Sequence, residues 1–240
     1  MVMISFENVS IKYGEYTILD NFNLEVSKGE IVTLFGPSGC GKTTLMKSIL
    51  GIIEPSEGNV VLNGVHAKDY SKIISYTPQD NQLLPWLTVE QNIELWIKES
   101  HSDKVSLGNI LEEVELSSHK HKFVKQLSGG MQRRTALARG IATKADIICF
   151  DEVMVSIERG MRRKLMAYLR NYLKQNNITA LLISHDHEEA VYVSDRIIVL
   201  SAAPTKILKE INVVKSLGDE RNIELFDKDV FLATSTKLVA

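Results

Sequence analysis

Gly36-Pro37-Ser38-Gly39-Cys40-Gly41-Lys42-Thr43 matches the phosphate-loop pattern G-x-x-x-x-G-K-[ST] at every fixed position. The apolar run 31–35 before it favours a buried strand, and residues 44–50 after it favour a helix. Glycines let backbone N–H groups turn towards a phosphate, and a helix N-terminus adds roughly half a positive charge there. Lys42 can reach the outer phosphates and the Thr43 hydroxyl can hold Mg²⁺, with Thr44 as a further contact. An ordinary glycine turn before a helix would not require a buried strand in front of it and all the fixed positions of the pattern. The stretch therefore predicts a nucleoside-triphosphate site.

The composition bounds the class of protein. The 240 residues are 44% hydrophobic and 24% charged, which suits one large α/β domain or a domain with a small satellite. A net charge of −2 argues against a basic nucleic-acid binder. Cys40 and Cys149 fall in the loop and in an apolar strand, so we expect no disulfide and a reducing, cytosolic setting. No apolar run nears the roughly 20 residues that span a bilayer, and residues 1–7 do not form a signal peptide, so a membrane role requires a partner.

A second apolar stretch, 146–150, ends in Asp151 and Glu152. Carboxylates at the tip of a buried strand are costly unless each has a charged or polar partner. A bound nucleotide with its metal would provide such partners. We therefore expect Asp151 to join the Mg²⁺ shell, and Glu152 to orient or deprotonate the attacking water.

Polar side chains also follow two other predicted strands. Residues 72–76 run into Pro78, which stops the strand and leaves Gln79 where its amide can reach a metal or water. Residues 178–184 deliver His185 to the same edge. A lone loop glutamine is normally just solvated, and a single histidine at a strand end is usually structural. Three strands that end in polar groups nevertheless favour one shared site.

The outer strands carry a candidate base-stacking residue. Residues 2–26 alternate as half-buried antiparallel strands do, and 58–64 predict another strand closed by an Asn-Gly turn. Tyr13, in the first turn, would more often be a packing residue, but the phosphate loop that follows favours a ring that stacks on adenine. Residues 206–214 predict an edge strand near the end of the chain.

Residues from about 88 to 142 predict a helical subdomain inserted into the core. A capping box at Thr88–Gln91 opens its first helix. Three histidines in or near it, His101, His119 and His121, come with no carboxylate or cysteine cluster, so we interpret them as solvated. The preceding stretch, 83–87, is too apolar for an idle loop and is either packed in the interior or a docking surface for another protein.

A second possible anion site lies at Leu127-Ser128-Gly129-Gly130-Met131-Gln132. Ser128 is a natural N-cap, and Gly129 and Gly130 leave backbone N–H groups uncovered. This could be ordinary helix capping. Its chemistry is also that of a helix N-terminus that faces a phosphate.

Taken together, these residues resemble the ATP-binding cassette (ABC) family of transporter ATPases from about residue 3 to about 212. The resemblance implies a single cassette over 1–240: an α/β P-loop core with an antiparallel β subdomain, the inserted helical subdomain and a short tail at about 213–240. It also implies two cassettes, a homodimer or a pair, that sandwich two ATP molecules with Mg²⁺. Ser128 and Gly130 of one chain would then close over the phosphate at the other chain's Lys42. The matching motifs are the Walker A loop 36–43, the Walker B strand 147–151 with Glu152, the Q-loop Gln79, the signature 127–132, the switch His185 and the adenine-stacking Tyr13.

The stretch 79–86 is similar to that of importer ATPases for nitrate, sulfonates, taurine or thiamine precursors. This implies a subunit at the cytoplasmic face of the membrane, acting with a permease and an extracytoplasmic solute-binding protein that choose the solute. A rival class is a soluble cassette ATPase that acts on nucleic acid or ribosomes, but it usually carries a coiled-coil insertion or tandem cassettes. The signature argues against a third class, a small-molecule kinase.

One segment departs from the family pattern. After Glu152 the family usually has a proline and then a small-small-Leu-Asp turn, the D-loop. This chain reads Val153-Met154-Val155-Ser156-Ile157-Glu158, with a helix expected from Ile157 onward. The D-loop crosses the interface between cassettes, so the resemblance implies altered communication between the two ATP sites and leaves ATP binding intact.

Overall fold

The computed structural model describes residues 1–99, 106–143 and 145–213. His101 and the predicted tail beyond Val213 lie outside the described residues. Within them, no helix is long and apolar enough to cross a membrane. The strands are β1 (Val2–Tyr13), β2 (Tyr16–Ser27), β3 (Ile31–Phe35), β4 (Glu57–Leu62), β5 (Val65–His66), β6 (Ile74–Thr77), β7 (Ile147–Asp151), β8 (Thr179–Ile183), β9 (Arg196–Leu200) and β10 (Ile207–Asn212). The α-helices are α1 (Lys42–Ile49), α2 (Val89–Glu99), α3 (Leu107–Glu113), α4 (Gly129–Ala142), α5 (Arg159–Gln175) and α6 (His187–Val193).

The outer strands form the antiparallel sheet that their alternation predicts. Its order is β2-β1-β4-β5. The β4–β5 hairpin turns at Asn63 and Gly64, whose φ angles of 49° and 80° are those that the two-residue hairpin turn requires.

The remaining six strands form a second sheet, in the order β10-β9-β3-β8-β7-β6. The pairs β9–β3, β3–β8, β8–β7 and β7–β6 are parallel, and β10 closes one edge in antiparallel orientation. The edge strand predicted for 206–214 is therefore confirmed. Because these strands are parallel, their carboxyl ends lie at the same edge of the sheet, and the loops that follow β3, β6, β7 and β8 all begin there.

The main sheet has an apolar core on each face, because neighbouring side chains of a strand point in opposite directions. In β7, Ile147 and Cys149 face the antiparallel sheet and α1, while Ile148 and Phe150 face the layer formed by helices α2 to α5. A smaller cluster packs α6 against β3, β9 and β10. The fold class expected from the sequence, a P-loop α/β core with an antiparallel β subdomain, is confirmed.

The helix after Glu152 begins later than its apolar spacing predicts. The apolar spacing predicts Ile157 as part of it, but α5 begins at Arg159. Ser156 has a φ of 66°, in the left-handed region that no α-helix contains, so the chain makes a turn before the helix can start. Ile157 is nevertheless buried, at 8% exposed, which explains why it fits the apolar pattern.

Candidate functional site

The phosphate loop joins β3 to α1. Gly41 caps α1 with a φ of 104°, and a Cβ there would lie 2.7 Å from Cγ2 of Ile18, so both backbone angle and space call for glycine. Lys42, the first helical residue, is 6% exposed. Its ammonium donates to the carbonyl oxygens of Gly36 and Pro37, both at 2.8 Å, so the charge is held inside the loop.

A hydroxyl–carboxylate pair lies beside the loop. Thr43 Oγ1 donates to Asp151 Oδ2 at 2.9 Å, and the Tyr76 hydroxyl lies 3.4 Å from the same oxygen. Asp151 is 5% exposed, and burial raises the pKa of its carboxyl group. A buried carboxylate of this kind gains most from a nearby cation, and hydroxyl and carboxylate oxygens are ligands that Mg²⁺ prefers. The donor set of Thr43 and Asp151 therefore fits Mg²⁺.

Two side chains contact the Glu152 carboxylate, one at each of its oxygens. Gln79 Nε2 donates to its Oε2 at 2.7 Å, and His185 Nε2 lies 2.6 Å from its Oε1. The backbone of Glu152 has a φ of 53°, unusual for a residue other than glycine, and its N–H donates to Ile183 O at 3.0 Å. This bend at the end of β7 turns the carboxylate towards the residues that follow β6 and β8.

These groups line one cavity of about 360 Å³ at the carboxyl edge of the main sheet. Its size suits the phosphate part of a nucleotide. The lining residues are Ile18, Ser38, Gly39, Gly41, Lys42, Thr43, Thr44, Gln79, Asp151, Glu152, Ile183 and His185.

Seven predicted contacts lie outside this lining. Three of them, Gly36, Pro37 and Cys40, belong to the phosphate loop itself, and the other four lie elsewhere. Tyr13 ends β1 with half of its surface exposed, directly opposite Tyr16 of β2. Ser128 and Gly129 are exposed, and Ser128 Oγ accepts from the N–H of Met131 at 3.3 Å, so the predicted N-cap is present. Gly130 faces the turn before α5, where a Cβ would lie 3.2 Å from the carbonyl oxygen of Ser156. The signature and the D-loop therefore touch within one chain.

The apolar stretch 83–87 is exposed at its centre. Trp86 is 68% exposed, which argues against the interior-packing alternative. Asn92, which is 1% exposed, anchors this loop. Its side-chain amide accepts from the N–H of Leu84 at 2.9 Å and donates to the carbonyl oxygen of Leu84 at 3.2 Å. A buried amide thus fixes the backbone that displays the ring.

Sequence reasoning missed three groups beside the site. Tyr76 lies within a predicted strand, and its contact with Asp151 depends on the pairing of β6 with β7. Arg133 in α4 is 8% exposed, and burial lowers the pKa of its guanidinium while the charges of Glu152 and Asp80 oppose this. Glu189 in α6 is 3% exposed, and burial raises its pKa to about 7. For Glu189, the helix α6 has only seven residues, which is too short for its sequence to signal such burial.

Comparison with known proteins gives one consistent family. Residues 19–155 match the family model described as ABC transporter. An aliphatic sulfonates import ATP-binding protein, SsuB of a Bacillus cereus strain, is 35% identical over 94% of this chain and 92% of its own length. An Fe(3+) ions import ATP-binding protein, FbpC of Escherichia coli, is 34% identical over 82% of this chain and 59% of its own length.

A solved structure agrees with these relatives. The ATP-binding cassette MJ0796, in a dimeric post-hydrolysis state bound to ADP and Pi, superimposes with a TM-score of 0.78 and 28% identity. The match covers 89% of this chain and 100% of that one. Since the family model spans more than half of the chain, and relatives above 30% identity span nearly all of it, this chain belongs to the ABC transporter family, as an ATP-binding protein that hydrolyses ATP to drive transport.

Proposed function

We propose that this chain is the ATP-hydrolysing subunit of an importer for a small solute of the nitrate, sulfonate, taurine or thiamine-precursor kind, with Glu152 as the general base. The observation that carries the proposal is the convergence of Gln79 and His185 on the two carboxylate oxygens of Glu152, at 2.7 and 2.6 Å. A carboxylate that is fixed at both oxygens and lines a phosphate-sized cavity is oriented to act as a base there.

As a base, Glu152 removes a proton from the attacking water. The water oxygen forms a bond to the γ-phosphorus while the bond to the β–γ bridging oxygen breaks, and the water proton passes to Glu152. Gln79 and His185 hold the carboxylate in line, and Lys42 together with the loop N–H groups stabilises the phosphate oxygens. The products are ADP and phosphate.

Thr43 and Asp151 would hold Mg²⁺, and Gln79, which lines the same cavity, would supply a further oxygen ligand. When bound, the ion neutralises charge that develops on the phosphate oxygens. The burial of Asp151 and its 2.9 Å contact with Thr43 support this assignment. Tyr13 would stack on the adenine, since its ring is exposed at the end of β1.

The second half of each ATP site would come from a second cassette. Ser128, Gly129 and Gly130 stand at the N-terminus of α4, away from the cavity of their own chain, and a Cβ added at Gly129 would meet nothing within 4 Å. Uncovered N–H groups at a helix start suit the γ-phosphate of a partner's ATP. The dimeric state of the similar cassette supports this arrangement.

The permease would dock at the exposed Trp86 loop, and a solute-binding protein would deliver the solute from outside. Relatives named for aliphatic sulfonates match over 79% to 92% of their own length, whereas those named for Fe(3+) ions match over 58% to 62% of theirs. The comparison therefore favours an aliphatic sulfonate over a metal ion. The resemblance of residues 79–86 to other importer ATPases adds taurine, nitrate and thiamine precursors to the candidates.

Reconstitution with the permease and binding protein tests the proposal. We expect an aliphatic sulfonate, taurine, nitrate or a thiamine precursor to stimulate ATP hydrolysis in proteoliposomes, and ferric ion to leave the rate unchanged. Stimulation by ferric ion alone would overturn the solute class. ATP hydrolysis that Glu152→Gln leaves at the wild-type rate would overturn the assignment of the base.

A further inference from the structure

A hydrogen-bonded ring of side chains encloses the turn that carries His185. The turn runs from the end of β8 through Ser184 to the start of α6. Ser184 is 1% exposed, and its hydroxyl accepts the N–H of Asp186 at 3.0 Å. The same hydroxyl lies 2.5 Å from Oε2 of Glu189, one turn further along α6. His185 is the residue bracketed by these contacts.

Asp186 closes the ring and links it to the next helix. Its Oδ1 accepts the N–H of Glu189 at 2.9 Å, which caps α6, and its Oδ2 accepts from Arg162 Nη1 at 2.8 Å. Arg162 lies in the first turn of α5, where its backbone N–H donates to the Glu158 carbonyl oxygen at 2.8 Å. The turn that holds His185 is therefore tied to the segment that follows the D-loop.

Glu189 has no evident reason to be buried other than this ring. It lines no part of the nucleotide cavity, and its Oε1 has no hydrogen-bond partner among the described residues. A carboxyl group at 3% exposure costs stability unless its contacts compensate, and a neutral residue would fill the same space. Its shortest contact is the one to Ser184, directly before His185.

We infer that Glu189 is a positioning residue for ATP hydrolysis, which acts through the Ser184–Asp186 turn to hold the His185 imidazole against Glu152. This inference rests on the proposed function of Glu152 and His185. Glu189 does not touch the nucleotide. It fixes the backbone on either side of His185, so that Nε2 stays 2.6 Å from the carboxylate.

The ring can persist when the Glu189 carboxyl group gains a proton. As a carboxylate, Glu189 accepts from the Ser184 hydroxyl. As a neutral acid it donates to Ser184, which then turns its own hydrogen to the Asp186 carbonyl oxygen, 3.3 Å away. A glutamine amide can make this second set of bonds, and an alanine can make neither.

Three variants of the full chain separate these cases. In Glu189→Ala we expect kcat to fall on the order of 10²-fold, the cost of displacing a catalytic contact by about 1 Å, with KM for ATP within about two-fold of wild type. Glu189→Gln should recover most of that loss because it restores the bond to Ser184. Glu188→Gln is the matched control: it makes the same change at the preceding residue, whose side chain pairs with Arg163 at 2.6 Å, and it should turn over like wild type.

Hydrogen–deuterium exchange supplies a readout that is independent of hydrolysis. The amides of residues 185–189 should exchange faster in Glu189→Ala than in either glutamine variant, while the amides of the phosphate loop stay unchanged. A folded Glu189→Ala with the kcat of Glu188→Gln, or a Glu189→Gln as slow as Glu189→Ala, would overturn the inference. Wild-type turnover in His185→Ala would instead overturn the proposed role of His185, and the exchange data would still show whether Glu189 fixes the turn.

Discussion

Lys42 illustrates how a single residue depends on the fold around it. Its ammonium is buried and held by two loop carbonyl oxygens at 2.8 Å, so its charge is fixed at the phosphate site and an alanine cannot supply it. In Lys42→Ala we expect ATP hydrolysis to fall about 10²- to 10³-fold, the usual cost of one preorganised electrostatic group. Lys47→Ala, in the same helix, is the control and should keep the wild-type rate. Steady-state kinetics on both variants decide this, and near-normal turnover in Lys42→Ala would refute the phosphate-loop assignment.

Glu189 makes stability depend on pH. The pKa of Glu189 in the folded chain is raised to about 7, against an ordinary value of 4.5, chiefly by burial. The Asp186 and Glu152 carboxylates also act to raise this pKa, whereas the hydrogen bond from Ser184 and the charge of Arg162 act to lower it. The folded state therefore holds the proton more tightly than the unfolded state does. When the pH rises from the ordinary pKa of 4.5 to the folded-state pKa of about 7, the stability of the folded chain falls, because the unfolded chain releases the proton first.

Glu189→Gln removes this dependence. We expect the variant to gain stability relative to wild type as the pH rises from about 5 to 8, by up to about 3 kcal/mol. Thermal denaturation of both proteins across that range measures the difference. A difference that stays constant with pH would mean that Glu189 ionises in the folded chain as it does in water.

The positions of the site residues were open to sequence reasoning to different degrees. Gln79, Glu152 and His185 each follow an apolar strand, and carboxyl ends of parallel strands must meet at one edge, so their convergence could be predicted. Tyr76 could not be placed beside Asp151, because that contact depends on which strands are neighbours. The burial of Glu189 was equally hidden, because α6 is too short for its apolar pattern to reveal a buried face.

The turn between β7 and α5 holds the departure from the family pattern. Val155 is 45% exposed, and its N–H lies 3.4 Å from the carbonyl oxygen of Glu152. Ser156, in a left-handed conformation, presents its carbonyl oxygen to Gly130. A β-branched residue stiffens such a turn, and a glutamate at 158 is one methylene longer than aspartate.

The double change Val155→Gly with Glu158→Asp tests whether this turn restrains the isolated subunit. We expect basal ATP hydrolysis to rise about 10-fold with ATP affinity unchanged. Moving catalytic groups by about 1 Å can change the rate on the order of 10²-fold, so a change of this size is within range. Val65→Gly with Glu54→Asp makes the same substitutions at exposed positions and should leave the rate as it is. Equal turnover in all three proteins would mean that the departure is tolerated without consequence.

In the assembled transporter, Trp86 offers a way to separate hydrolysis from transport. The ring is 68% exposed, so Trp86→Ala should change stability by no more than about 0.5 kcal/mol and leave basal hydrolysis intact. With the permease present, we expect solute transport per ATP hydrolysed to fall at least several-fold. Leu208→Ala, at another exposed apolar side chain, should transport like wild type. Loss of folding in Trp86→Ala would support interior packing of the loop instead.

Under the proposed mechanism, two copies of this chain close around ATP and Glu152 then drives hydrolysis. Size-exclusion chromatography with light scattering on Glu152→Gln, with and without Mg-ATP, tests both parts most directly, because the amide keeps the shape of the side chain and loses the base. We expect a monomer without nucleotide, a dimer with Mg-ATP, phosphate release close to zero, and no dimer when Lys42→Ala is added. A Glu152→Gln chain that stays monomeric in saturating Mg-ATP would contradict the ATP-bound dimer, and one that releases phosphate at the wild-type rate would contradict the role of Glu152 as the base.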